Sequence, residues 1–456
     1  MRARVLAALA APESRKWWTL LALTFSLFMV MLDNTVVNVA LPSIQRDLAI
    51  GISELEWVVN AYALTFAVFM LTGGKLADFL GRRRVFMAGL AVFTGASLVC
   101  GLAGSAALLI AFRAVQGMGS ALMMPATLSI ISATFPPRQR GAALGTWAGV
   151  SAMALALGPL VGGLLTEHIH WSWIFFINVP IGVLALAGSL VVVPESRDTS
   201  SEQRLDIPGL LSSGLGLLAL TFALIEANRY GWTSTPILAL FALSALSLAL
   251  FLALERHQRL PMLDLGLFRN GTFAGANAVA FMVSLAMFGV FFFLSLYMQN
   301  ILRYSAVEAG ATFLPMTLLI ILVAPVAGRL CDRHGSRWLM AGGMALVGVS
   351  LLVFAQLDQR SGFWSILPGL ILGGVGMALT MSPTTAAALS AVPVDKAGVG
   401  AGALNTARQV GGALGIAVMG AVFASYVHVG PGDPEFPVQF VSGLHRAMLV
   451  AAAIAF

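Results

Sequence analysis

Apolar runs close to twenty residues long follow one another through almost the whole chain, parted only by short polar stretches. Each is long enough to cross a hydrocarbon layer as a helix, at roughly twenty residues per crossing. In lipid a backbone must satisfy its own hydrogen bonds, and a helix does this within one segment. The chain is therefore expected to be an all-α polytopic membrane protein. Composition agrees: 59% of the 456 residues are hydrophobic and 10% are charged, against about 25% charged in soluble domains. The spans fall near residues 19–41, 54–76, 85–104, 106–130, 141–165, 172–193, 207–226, 236–255, 273–300, 309–330, 338–356, 364–389, 398–425 and 441–456, about fourteen transmembrane helices. The last is near the lower limit for a crossing and has no basic tail behind it, so a truncated C-terminus is expected. The first run is too long for a signal-peptide core and is expected to stay as span 1.

These spans form a repeat. Gly74, Leu76, Asp78, Gly81 and Arg83, between spans 2 and 3, match Gly328, Leu330, Asp332, Gly335 and Arg337 at one constant offset of 254 residues. The same offset carries span 1 onto 273–295. This predicts an N-terminal six-helix half over 1–194 and a C-terminal six-helix half over 263–456. Between them, 195–262 holds a linker and an inserted two-helix hairpin. An inserted hairpin crosses twice, so both halves keep one orientation. Each signature stretch reads as a tight basic loop whose glycines permit a sharp turn. Asp78 is placed there to accept hydrogen bonds from helix-terminal N–H groups and from nearby arginines, in a stretch that includes Arg82 and Arg83.

The net charge of +6 is a matter of topology rather than of nucleic-acid binding. Of 26 Lys and Arg, nineteen fall in the N-terminus and the even-numbered loops. Five (Arg46, Arg229, Arg303, Arg360 and Arg446) fall on the other side, and Arg113 and Arg408 lie inside helices. The positive-inside bias puts the N-terminus and both signature loops in the cytoplasm of a multi-pass plasma or inner membrane protein. Cys100 and Cys331 then lie on opposite sides and form neither a disulfide nor a metal cluster. Glu167, His168 and His170 read as solvated loop residues that lack a further metal ligand.

Inside the membrane, Asp33 lies about 21 Å along span 1 from Thr19, at roughly 1.5 Å per residue. A carboxylate there costs several kcal/mol unless it faces water or a partner, which suits a group that alternately holds a proton and a cationic substrate. The alternative is a structural acid satisfied by Asn34, Thr35 and Asn38. Read as a lone charge, its neutralisation is expected to spare folding. Arg113 stays charged and must face an aqueous cavity, an acid or carbonyls; its alternative is helix packing. Gln116, one turn on, could orient what Arg113 holds. Gly158, Pro159, Gly162 and Gly163 give span 5 a kink and a flat face, expected to form a close interface between the halves that reopens in transport. Gly411, Gly412 and Gly415 make the matching face on span 13. Secondary candidates are Glu226, read with Arg229 as an interfacial pair, and a polar cluster of Asn405, Arg408 and Gln409. No phosphate loop of the Gly-x-x-x-x-Gly-Lys-Ser/Thr type occurs, which disfavours direct coupling to ATP.

The paired Gly-x-Leu-x-Asp-x-x-Gly-x-Arg loops resemble the signature loop of the major facilitator superfamily. Arg113-Ala114-Val115-Gln116-Gly117-Met118-Gly119 is similar to its second motif, and Gly158-Pro159-Leu160-Val161-Gly162-Gly163 resembles the motif of its antiporters. Leu32-Asp33-Asn34-Thr35-Val36-Val37-Asn38-Val39-Ala40-Leu41-Pro42 resembles a motif of the fourteen-span drug:proton antiporters. The resemblance implies the major facilitator fold, with Arg113 taking part in proton transfer and Asn405, Arg408 and Gln409 near the seam between the halves. It implies efflux of small hydrophobic, often cationic drugs or antibiotics in exchange for protons, by rocking around a midplane cavity. The partners expected are substrate, protons and lipid, with no nucleic acid and no cofactor beyond the proton gradient, for a monomer. One alternative is a same-fold exporter or importer of a specific metabolite or lipid. A remoter one is a membrane enzyme or non-transporting scaffold, but no His, Cys or acid cluster stands at catalytic spacing. At the repeat offset Asp33 falls on Met287, so the proton site is expected in one half only.

Overall fold

The structure, a computed structural model, describes residues 12–197, 206–258, 261, 263–393, 397–430 and 433–456. Arg2, Arg4, Arg204, Arg259 and Lys396 of the charge pattern lie outside these, as do the side chains of Arg138, Arg140 and Asp332. The described chain has helices and no strand. The N-terminal half contains α1 (Pro12–Leu48), α2 (Ile52–Leu80), α3 (Arg82–Gly101), α4 (Ala106–Thr134), α5 (Pro137–His168), α6 (Trp173–Phe176) and α7 (Asn178–Val192). The inserted hairpin is α8 (Ile207–Tyr230) and α9 (Thr235–His257). The C-terminal half contains α10 (Gly271–Asn300), α11 (Ala306–Thr312), α12 (Leu314–His334), α13 (Ser336–Phe354), α14 (Phe363–Ser390), α15 (Ala397–Ala424) and α16 (Phe436–Ala455). Among the described residues, thirteen helical segments are long and apolar enough to cross a membrane. Helix α5, with 32 residues, is a further long helix between them.

Two helices are broken where the sequence suggested continuous spans. Between α6 and α7 the break is at Ile177, and between α11 and α12 it is at Phe313. Pro180 and Pro315 account for them, since each lacks the N–H that would bond to the carbonyl four residues back, at Phe176 and Ala311. The signature stretch also differs from a loop. Helix α2 continues to Leu80 and α3 begins at Arg82, so Lys75 to Leu80 are helical and the turn is Gly81 alone. Gly81 and its repeat mate Gly335 have φ of 111° and 81°, a region that glycine enters without a Cβ clash.

Small residues set the packing within each half. Gly158 and Gly162 of α5 lie on Thr35 and Val36 of α1, while Gly411 and Gly415 of α15 lie on Phe281 and Leu285 of α10. Across the halves, α2 packs on α15 and α5 on α11. Helix α8 lies against both α2 and α15, and α9 lies outside it with 17% of its apolar window buried, a surface suited to lipid. The apolar core is uneven along the molecule. At the end away from the signature stretches one buried cluster runs through both halves, including Val37, Leu41, Leu55, Met287, Phe293 and Phe423. At the other end two clusters stand apart, one with Phe86, Met124 and Ile131 and one with Phe273, Ala388 and Leu404.

Candidate functional site

Asp33 sits in the middle of α1 and is fully buried. Its Oδ2 accepts a hydrogen bond from Arg113 Nη1 at 2.5 Å, the short distance of a charge-assisted contact. Its Oδ1 accepts from Gln116 Nε2 at 2.9 Å and from Asn178 Nδ2 at 3.3 Å. Arg113 Nη1 also donates to Gln116 Oε1 at 2.7 Å, and its Nε donates to the Val58 carbonyl at 3.0 Å. The guanidinium lies 4.4 Å from the Tyr62 ring centroid and 5.8 Å from that of Phe175, both cation–π contacts. Gln116 Nε2 reaches Ser97 Oγ at 2.8 Å. The three-residue spacing of Arg113 and Gln116 puts both on one face of α4. Asp33, Ser97, Gln116 and Asn178 have no exposed surface, and Arg113 has 1%.

This arrangement corrects the reading of Asp33 as a lone charge. It is one partner of a buried ion pair, so neutralising it leaves Arg113 unpaired at a cost of about 3–5 kcal/mol. The polar neighbours on its own helix do not satisfy it. Asn34 Nδ2 bonds to the Val30 carbonyl, Thr35 Oγ1 to Leu32 and Asn38 Nδ2 to the Asn34 carbonyl. The Asn38 carbonyl accepts instead from Ser295 Oγ of α10 at 2.8 Å, which places this turn of α1 on the seam between the halves.

The other expected site residues are spread along the molecule. Asp78 at the end of α2 pairs with Arg82 at the start of α3 at 2.9 Å, across the turn at Gly81, and Arg83 Nη2 donates to the Leu190 carbonyl at 2.6 Å. Gly74 stands over Pro125, and Gly328 of the second copy over Ser382. Arg337 lies over the Trp338 ring. In the glycine motif, Gly163 meets the other half: a Cβ there would lie 2.5 Å from the Ala306 carbonyl oxygen. The Pro159 carbonyl faces Gly310 of α11. Gly158 and Gly162, expected at the interface between halves, face α1 of their own half. Arg408 Nη2 donates to Thr385 Oγ1 at 2.8 Å; Asn405 and Gln409 are half-buried on the same helix. Glu226 pairs with the solvent-exposed Arg229 near the end of α8. It is 7% exposed and accepts from Ser53 Oγ of α2 at 2.8 Å, with Arg229 at 3.8 Å.

Several residues of these sites were not singled out in the sequence. Ser97 and Asn178 belong to the Asp33 network, and the signal for Asn178 is a lone amide in the apolar stretch Trp173 to Val183. Glu56, 2% exposed in α2, is a second intramembrane acid hidden beside the polar start of its span. Glu167, read as a solvated loop residue, joins the halves, since its Oε2 accepts from the Val307 backbone N–H at 2.8 Å. Among the described residues, no group of three His, Cys, Asp or Glu is placed to hold a metal ion.

Similarity to known proteins agrees with this architecture. The puromycin resistance protein pur8 of Streptomyces alboniger is 39% identical over 455 residues, covering 98% of this chain and 90% of that protein. The tetracenomycin C resistance and export protein of Streptomyces glaucescens is 37% identical over 415 residues, covering 91% and 77%. The multidrug resistance protein Stp of Mycobacterium tuberculosis is 37% identical over 410 residues, covering 90% and 76%. Among solved structures, a bacterial homologue of the human lysosomal transporter Spinster, inward-facing and unoccupied, superposes with a TM-score of 0.68 at 17% identity over 97% of this chain and 95% of that one. The family model of the Major Facilitator Superfamily matches residues 23–416. With the repeat, the helical halves and these relatives in hand, the chain belongs to the Major Facilitator Superfamily and is a membrane transporter rather than an enzyme.

Proposed function

We propose that this transporter has fourteen spans with its N-terminus in the cytoplasm of the plasma membrane, and that it exports hydrophobic, often cationic drugs or antibiotics in exchange for protons. The observation that carries this reading is the sealed pair of Asp33 and Arg113, bound also by Gln116 and Asn178. A carboxylate so held accepts a proton only when Arg113 is drawn away, so a rearrangement of α4 against α1 couples protonation to shape. The shared core lies at the extracellular end on this topology and the divided clusters at the cytoplasmic end, the arrangement of an inward-facing transporter. Resistance and export in the names of the relatives supports efflux as the direction. The chain acts as a monomer in lipid, powered by the proton gradient without a cofactor.

The test is uptake of puromycin and of tetracenomycin C into inside-out vesicles under an imposed pH gradient. Uphill accumulation that collapses with a protonophore is the expected result. Accumulation indifferent to the protonophore would remove proton coupling, and no accumulation of either compound would remove this substrate class.

A further inference from the structure

A charge that proton coupling leaves unused lies in the C-terminal half. Arg408 stands on α15 one turn beyond Leu404 of the divided cytoplasmic cluster and two turns before Ile416 of the shared outer core. It is therefore at the level where the two halves part. The other sides of α15 are occupied. Gly411 and Gly415 lie on α10, Gly402 and Gly420 lie on Leu71 and Glu56 of α2, and the Ala421 carbonyl accepts from Asn228 of the hairpin. Arg408 projects about 140° around the helix from Ala421, at roughly 100° per residue, so it points inward, away from the hairpin. There it reaches α14, where its Nη2 donates to Thr385 Oγ1 at 2.8 Å and to the Met381 carbonyl at 3.3 Å.

Neither contact supplies a counter-charge. Arg408 is the one charged residue of α15, and neither α10 nor α14 carries any. Glu56 of α2 lies on another flank of α15, at Gly420, and Asp33 is held by Arg113. Among the described residues no acid forms an ion pair with Arg408. Its Nε is buried without a hydrogen-bond partner. Phe281 of α10 faces Gly411, so one turn earlier on both helices Asn277 comes level with Arg408. Asn277 is 5% exposed; its Nδ2 donates to the Phe273 carbonyl, but its Oδ1 accepts nothing. A guanidinium keeps its charge inside a membrane, and buried polar atoms are ordinarily bonded. An unpaired cation level with an unused acceptor is half of a binding site.

We propose that Arg408 binds the acidic oxygen, carboxylate or phenolate, of an otherwise apolar aromatic substrate on the side open to the cytoplasm. This rests on the reading of the chain as an inward-facing exporter, and it adds acidic compounds to the hydrophobic substrates of that reading. The planar fork of a guanidinium matches the two oxygens of a carboxylate, and such charge-assisted bonds are the strong ones. One turn outward the Phe288 ring stands over Gly412, and Met377 and Met381 are half-buried on α14, so apolar surface flanks the charge. Asn277 Oδ1 accepts from a hydroxyl or amide of the same molecule. A cationic compound gains nothing from Arg408 and binds without it.

The test is equilibrium binding to the full chain in phosphatidylcholine nanodiscs, without a gradient, read by fluorescence anisotropy against empty nanodiscs. Two xanthene dyes of opposite charge are the probes, fluorescein as the anion and rhodamine 6G as the cation. The wild type is expected to bind fluorescein, and Arg408→Gln to weaken that binding about tenfold or more. Rhodamine 6G is expected to be held as before or more tightly. Arg408→Lys, which keeps the charge and loses the fork, is expected to fall between the two for fluorescein. No fluorescein binding to the wild type, or equal affinity in Arg408→Gln, would overturn the proposal. An equal loss for both dyes would also overturn it, because it would make Arg408 a packing residue. If Arg408→Gln fails to assemble, Arg408→Lys decides: a loss confined to fluorescein supports the site, and no loss removes it. The pH gradient plays no part in this binding, so a failure of proton coupling leaves the result standing and the two readings fail separately.

Discussion

Arg113 has three acceptors within 3.0 Å, namely Asp33, Gln116 and the Val58 carbonyl, and no exposed surface to speak of. Such a charge is stable only while its partner is charged too. Asp33→Asn is therefore expected to abolish proton-driven efflux and also to lower the thermal unfolding midpoint in detergent. The double variant Asp33→Asn, Arg113→Gln is expected to recover most of that midpoint without recovering transport, since the cost of about 3–5 kcal/mol belongs to the unpaired charge. A double variant less stable than Asp33→Asn would show that the pair adds no mutual dependence. The sequence made Asp33 and Arg113 legible because intramembrane charges are rare and expensive. It did not show that they touch, since they are 80 residues apart on α1 and α4 and only the packed bundle sets that distance. Ser97 and Asn178 were hidden for a different reason: uncharged polar residues are common enough in spans that each alone carries little signal.

Between residues and the whole molecule, helix identity was easier to read than helix ends. An apolar window senses the hydrocarbon layer, whereas a helix continues until its hydrogen bonds fail, so α1 runs from Pro12 to Leu48 against an apolar run of 19–41. The breaks at Ile177 and Phe313 carried a local sign in Pro180 and Pro315, but proline also sits unbroken inside helices, as Pro125 does in α4. Glycine spacing showed that α5 packs closely, but the expected partner, the other half, is wrong for Gly158 and Gly162. The structure divides the motif, with Gly158 and Gly162 toward α1 and Gly163 toward α11. Leucine at Gly158 is expected to overpack one half and cost about 1–3 kcal/mol or more of stability. Leucine at Gly163 wedges the contact between halves, so it is expected to cut transport several-fold while lowering the unfolding midpoint less. Paired measurements of midpoint and vesicle uptake check this, and equal loss of stability in both variants would refute the division.

At the scale of the molecule, the duplicated signature stretches pointed to two halves and an inserted hairpin, but not to the state the halves adopt. That state rests on contacts between residues far apart in sequence: the core shared at one end, and Glu167 of α5 on the Val307 N–H of α11. Glu167 lies just past the apolar run of its span. The Val307 N–H holds its carboxyl below the usual carboxylate range, helped by the Ser305 hydroxyl and, when protonated, His168. A group whose pKa is lowered in the bonded state strengthens that state above the ordinary pKa of the free carboxyl, and the gain fades as pH falls through the lowered value. On the proposed topology this latch faces outside, so only strong external acid, below the ordinary carboxylate range, weakens the outer closure. Spin labels at Ile169 and Leu318, with Cys100 and Cys331 replaced, are expected to report a short distance at neutral pH. A longer population should grow only in strong acid, below the ordinary glutamate pKa of about 4.3, as the pH falls through the lowered value. Glu167→Gln keeps an oxygen for the Val307 N–H but cannot titrate, so its distance distribution is expected to be flat with pH. A pH response that persists in Glu167→Gln would move the trigger away from this latch and inward, toward the buried acids.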